Sequence, residues 1–155
     1  MGGERPTRSR WESVDYPHGT LMMLSRRCLN EIGLFDERYF SYCEEAQLAA
    51  RATKAGFEIG LIRSARVTNT HIGSGEGIVD YLQTRNTLLF VLEHSGRYHA
   101  FIRLCIAVIQ LARGLIRPDS RPLIFAPRAR ALGIRDFLLR RFGPPPPGLS
   151  SRRGR

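Results

Sequence analysis

Glu44 and Glu45 stand side by side at the head of a helical pattern, and His71 closes the same stretch, residues 34–71, at the edge of a loop holding Gly73, Gly75 and Gly77. Adjacent carboxylates raise one another's pKa, as a general base working near neutral pH requires. The spacing Ser41-x-x-Glu44 also fits a capping box, in which Glu44 reaches back to the backbone N–H of Ser41 and favours the positive helix end by about 0.3–1 kcal/mol. That reading suffices for Glu44. It leaves Glu45 as the candidate base, weighed against the plain alternative of a solvated surface charge. His71 could meet a metal or a phosphate beside backbone N–H groups of the loop, or be an ordinary loop histidine. The loop glycines match neither the Walker nor the dinucleotide spacing. Arg51, seven positions after Glu44 and therefore on the same helix face, could organise an acidic site or form an ordinary salt bridge. Arg85-Asn86, inside a later helix, is equally open.

The elements that must position these groups follow from periodicity and punctuation. Residues 1–13 are polar and rich in Arg and Gly, and read as a lead-in loop. The apolar run 19–24, bounded by Pro17 and Gly19, has the length of a buried strand. Ser25 can cap a short helix over 26–32 that Gly33 ends, and a second helix should run from the Ser41 box to about residue 55, where Gly56 stops it. Residues 57–62 and 65–70 read as two short strands. Helices are expected over 78–93 and 98–116 with Gly96 between them, and over 128–142, before a polyproline exit and a disordered Pro/Arg-rich tail at 143–155. The helix at 98–116 is the most apolar, but Arg103 and Arg113 leave only nine residues between them, against the roughly 20 a membrane span needs.

At 155 residues the chain can bury a real core. The formal charge of +10 is uneven: residues 1–96 hold 11 Lys+Arg against 12 Asp+Glu, and residues 97–155 hold 13 against 2. Lys54 is the single lysine, so the charge is guanidinium, suited to phosphates and lipid headgroups alike. Cys28, Cys43 and Cys105 are odd in number and widely spaced, which argues against a disulfide framework and a zinc site and favours a reducing cytosol. The first residues contain no apolar segment of signal-peptide type, and Pro6 breaks the myristoylation pattern.

Taken in order, these elements resemble the C-terminal half of family 2 glycosyltransferases of the GT-A type, especially the rhamnosyltransferase-like branch, over about residues 14–142. Val14-Asp-Tyr-Pro-His-Gly19-Thr-Leu-Met-Met-Leu24 is similar to the family's glycine-containing strand, which shapes the acceptor and donor-sugar pocket. Gly33-Leu-Phe35-Asp36-Glu37-Arg-Tyr-Phe40 resembles its Gly-x-Phe-Asp-Glu-x-x-Phe element, and Glu44-Glu45 its acidic motif, whose second acid looks like the catalytic base. Gln47 stands where the family usually has an Asp, followed by Leu48 and Arg51. The run into His71 and Ser74 resembles the strand and Gly/Ser loop that hold a divalent metal or the donor diphosphate, Tyr81 to Arg85-Asn86 matches a Tyr-x-x-x-Arg-Asn element, and residues 133–143 resemble the basic tail.

The resemblance implies an α/β chain: a partial GT-A-type, Rossmann-like fold at 14–96 without the N-terminal nucleotide-binding half, then a basic amphipathic helical extension at 97–142. It implies Glu45 as catalytic base, Gly19, Glu44, Arg51, Ser74 and Arg85 around the acceptor and donor pocket, and His71 toward a divalent cation (Mg2+ or Mn2+). The main Asp-x-Asp metal ligands of the family are absent from this sequence, so the expectation is a C-terminal fragment or split piece. The partners implied are a nucleotide-sugar donor and a glycan or lipid-linked acceptor, with inverting transfer. The competing class is a non-catalytic basic module, residues 97–155, on an anionic membrane surface. Nucleic acid is not expected, because no groove-entering helix or stacking aromatics accompany the charge. The location expected is cytoplasmic, including the inner face of the cell membrane.

Overall fold

The computed structural model describes residues 11–68 and 74–149. They form a mixed α/β chain, mostly helical, with one small antiparallel sheet, and they divide into two compact units.

The first unit holds residues 11–36 and 44–68. Strand β1 (Trp11–Ser13) pairs antiparallel with β2 (Gly60–Ile62), Trp11 opposite Ile62 and Ser13 opposite Gly60. The Trp11 indole lies across residue 60, where a Cβ would fall 2.1 Å from a ring carbon, so glycine is what allows this pairing. Helix α1 (Arg26–Ile32) begins as its sequence implies: the Ser25 hydroxyl accepts the Cys28 N–H, and Gly33, at φ 80°, ends it. Helix α2 (Glu44–Lys54) buries Leu48, Ala49 and Ala52 on one face and is followed by Gly56 at φ 83°.

Several expectations are corrected here. Part of the 1–13 lead-in is strand β1, because Trp11 finds a glycine to lie on. The run 19–24 is turn and irregular backbone with Leu21 and Met23 exposed, not a buried strand, since only β1 and β2 pair among the described residues. The strand at 57–62 shortens to β2, residues 65–68 form no strand, and 69–70 lie outside the described residues. A parallel Rossmann-like layer is not part of what the described residues build.

The second unit holds residues 37–43 and 74–149. Helix α3 (Glu76–Ile116) is broken at Gly96, φ 85°, the left-handed conformation that glycine adopts at least cost. Its two ends return to one another. The Phe125 N–H is bonded by Glu76, and the Phe125 ring packs on Gly114, although a straight helix would separate residues 76 and 114 by about 57 Å. The hairpin encloses helix α4 (Pro127–Leu138), which a 3-10 turn (Pro118–Ser120) precedes. Leu88, Ala107 and Ile134 form one core cluster; Tyr81, Leu82, Ala129 and Leu149 form another. Gly133 brings α4 against the backbone of Tyr81, where a Cβ would come within 2.8 Å of the carbonyl.

The start of α4 has no side-chain cap of its own. Asp80 supplies one from α3: its Oδ2 accepts the Ala126 N–H at 2.7 Å and its Oδ1 accepts Arg130 Nη2 at 2.7 Å. A buried charge paired and hydrogen-bonded on both oxygens is the tolerated form of such a group. Helix α4 ends at Leu138, earlier than 142, and the tail is packed through Leu149, whose carbonyl covers Gly77; the disordered segment expected from 143 is corrected to that extent. Helix α3 is also long and apolar enough to cross a membrane by length and composition, because its aliphatic residues outweigh the two arginines that counting uninterrupted residues treats as decisive.

Candidate active site

Glu44 is the first residue of α2, not the third as a capping box on Ser41 requires. Its carboxylate has a different situation. Oε2 is buried without a hydrogen-bond partner, and burial raises the pKa above that of an ordinary glutamate. A bond from its own backbone N–H opposes the shift, while the Glu45 charge and a hydrogen bond shared with Glu45 add to it. Both carboxylates stand in the first turn of α2, at the positive end of the helix.

Glu45 meets Gly19. A Cβ at residue 19 would lie 2.1 Å from Glu45 Oε1, so the carboxylate occupies the space that a side chain would take. The first unit therefore brings together three residues the sequence singled out: Gly19, Glu44 and Glu45. Gly19 leaves room for the Glu45 carboxylate and is not part of a strand.

Arg51 lies on α2 but is turned to another task. Its guanidinium donates to the carbonyls of Ile32 and of Leu34, the latter at 2.6 Å, and its Nε donates to Gln47 Oε1 at 3.1 Å. Arg51 thus closes the C-terminal end of α1 and holds the chain at Gly33-Leu34. Gln47, buried, serves as a neutral acceptor for it; a carboxylate is not required for that contact.

In the second unit Arg85 is fully buried, at 0% exposure. Its Nη2 donates to the carbonyls of Arg38 and Tyr39, its Nη1 to the Tyr81 hydroxyl, and its Nε to Asn86 Oδ1. Tyr81 in turn donates to Asp136 Oδ2 at 2.9 Å, and burial, then this bond, raises its pKa. Asn86 Nδ2 lies 2.7–2.8 Å from the carbonyls of Tyr39, Ser41 and Tyr42. Those donors fix a loop that contains three non-glycine residues at positive φ: Phe40, Tyr42 and Cys43. Such conformations cost of order 1 kcal/mol or more each and persist where surroundings over-determine them. Asn86 was visible in the sequence only as the neighbour of Arg85; its role depends on carbonyls more than 40 residues away.

Ser74 is exposed ahead of α3, in the unit that does not contain the acidic pair. His71 lies outside the described residues. Among the described residues no three His, Cys, Asp or Glu side chains gather as a metal site.

Comparison with known proteins finds similarity to two sugar transferases. The chain is 32% identical over 94 residues to the N-acetylglucosaminyl-diphospho-decaprenol L-rhamnosyltransferase of Mycobacterium tuberculosis, a match covering 58% of this chain and 31% of the relative. It is 33% identical over 82 residues to the low-salt glycan biosynthesis hexosyltransferase Agl10 of Haloferax volcanii, covering 49% of this chain and 26% of the relative. The chain thus spans about a third or less of the length of the relatives it matches, and both are transferases of sugars. No family model matches, and neither does any solved structure.

Proposed function

We propose that this chain supplies the acid–base part of a glycosyltransferase that moves a sugar from a nucleotide-sugar donor to a glycan or lipid-linked acceptor. The observation that carries the reading is the Glu44–Glu45 pair at the head of α2, with the Glu45 carboxylate lodged in the space left by Gly19 and an unpartnered, buried oxygen on Glu44. The similarity to two sugar transferases supports it.

In this reading Glu45 removes the proton from the acceptor hydroxyl. The oxygen then forms its bond to the anomeric carbon as the bond from that carbon to the diphosphate oxygen breaks, and the electron pair leaves with the nucleoside diphosphate. In-line attack gives inversion. Glu44, whose carboxyl burial pushes above the ordinary range, stands beside it at the head of the helix. A positioned general base contributes roughly 10²–10⁴-fold.

The test is sugar transfer by the full reading frame that encodes this chain, using a panel of nucleotide sugars and polyprenyl-diphosphate-linked N-acetylglucosamine as the first acceptor. Glu45→Gln should lower turnover about 10²–10⁴-fold with donor affinity nearly unchanged. Turnover retained in that variant would remove Glu45 as the base.

A further inference from the structure

The second arm of α3, beyond Gly96, is apolar on two opposite sides. One side, with Leu104, Ala107 and Leu111, packs into the cluster of Leu88, Ile134 and Phe137. At 100° per residue the other side carries Tyr98, Phe101, Ile102, Ile109 and Ile116. All five are exposed, Ile109 by 64% and Ile116 by 78%. Cys105 and Ala112 fill the intervening turns, so an uninterrupted apolar strip runs for about 27 Å. A patch of this kind on a water-facing surface marks an interaction site more often than an accident of composition.

The flanks decide what it meets. Arg97, Arg113 and Arg117 are exposed around the strip, and Arg113 and Arg117 line a shallow groove with Ile109, Ala112 and Ile116. From residue 97 to 149 the acids are Asp119 and Asp136, and Asp136 is buried against Arg135. A second copy of the chain pressed strip to strip would bring guanidinium groups together with almost no carboxylate to answer them. An anionic bilayer answers both features, because the apolar side chains enter the acyl boundary while arginines take lipid phosphates as two-pronged donors. We propose that this strip is a membrane-docking face, lying in the plane of an anionic phospholipid leaflet. It does not span, since the opposite side, at Ala107 and Gly114, is committed to α4 and Phe125. The inference goes beyond sugar transfer and is measured without any sugar substrate, so the two readings fail separately.

Co-sedimentation of the full chain with phosphatidylcholine vesicles, with and without phosphatidylglycerol, tests it. Binding should require the anionic lipid and weaken with added salt. Arg113→Gln and Arg117→Gln should each weaken it about fivefold, and Ile109→Asp tenfold or more. Circular dichroism should be unchanged, as all three side chains face solvent. Equal binding to neutral vesicles, or binding indifferent to both kinds of substitution, would overturn the proposal. So would release only by detergent and not by salt, which means spanning. Self-association in the ultracentrifuge that Ile109→Asp abolishes, with no vesicle binding, would assign the strip to a second copy.

Discussion

At the scale of single residues, the acidic pair divides its work by environment and not by chemistry, since both members are glutamates. Gly19 is the nearest control on Glu45. Gly19→Ala would place a methyl group 2.1 Å from Oε1, and because that oxygen is the far end of a flexible side chain, the carboxylate can swing aside at little cost to stability. The expected outcome is a large fall in turnover, of the order of 10²-fold for a misplaced base, with a melting temperature close to that of the parent. A variant that keeps full activity would separate Gly19 from the site. Glu44 makes a different prediction. Burial lifts its native pKa above the unfolded value, so the native state binds this proton more tightly. Stability therefore falls as pH rises through the window between the two values, and the penalty is complete above it. Glu44→Gln removes that titration. The variant should melt higher than the parent at neutral pH, with the gain disappearing below the ordinary carboxylate range of about 4.3. Melting curves across that range would show it, and a lower melting temperature at neutral pH would count against a buried charge at this site.

At the scale of elements, what could be read in advance was whatever depends on near neighbours. Ser25 and Gly33 bound α1, Gly56 follows α2, and Gly96 breaks α3, because a cap or a left-handed glycine acts within one turn of its own helix. What could not be read depends on partners far along the chain. The run 19–24 has the composition of a strand but no strand beside it, whereas Trp11–Ser13 reads as loop and becomes a strand through Gly60. Arg51 and Arg85 carried the same ambiguity as lone arginines inside helices. Both turn out to bind backbone carbonyls: Arg51 at the end of α1, Arg85 at Arg38 and Tyr39. A guanidinium with five donors suits that work, and nothing local distinguishes it from a ligand-binding arginine. Of the candidate site, the pair Glu44–Glu45 and its glycine were legible from residue type, while the raised pKa of Glu44 arises from burial that no spacing encodes.

At the scale of the whole molecule, the excess charge of residues 97–155 is partly spent inside the second unit. Arg130 is buried against Asp80, Arg135 meets Asp136, and Arg121 donates to the Gly114 carbonyl, which leaves Arg97, Arg113 and Arg117 as the exposed cations beside the apolar strip of α3. The charge count alone could not separate these groups, because Asp80 stands 50 residues before its partner. The distinction sets their consequences apart: neutralising a strip arginine should change membrane binding and not folding, while removing Asp80 should do the reverse. Asp80 is 2% exposed and accepts from Arg130 and from the Ala126 N–H at the head of α4. Asp80→Ala would strand a buried guanidinium and uncover the start of that helix, a loss of about 3–5 kcal/mol for a broken buried pair. Urea denaturation followed by helical ellipticity should therefore shift its midpoint strongly downward. A shift worth less than about 1 kcal/mol, the usual ceiling for an exposed ion pair, would mean that water already reaches Arg130 and that the α3–α4 contact rests on Gly133 and its apolar neighbours alone.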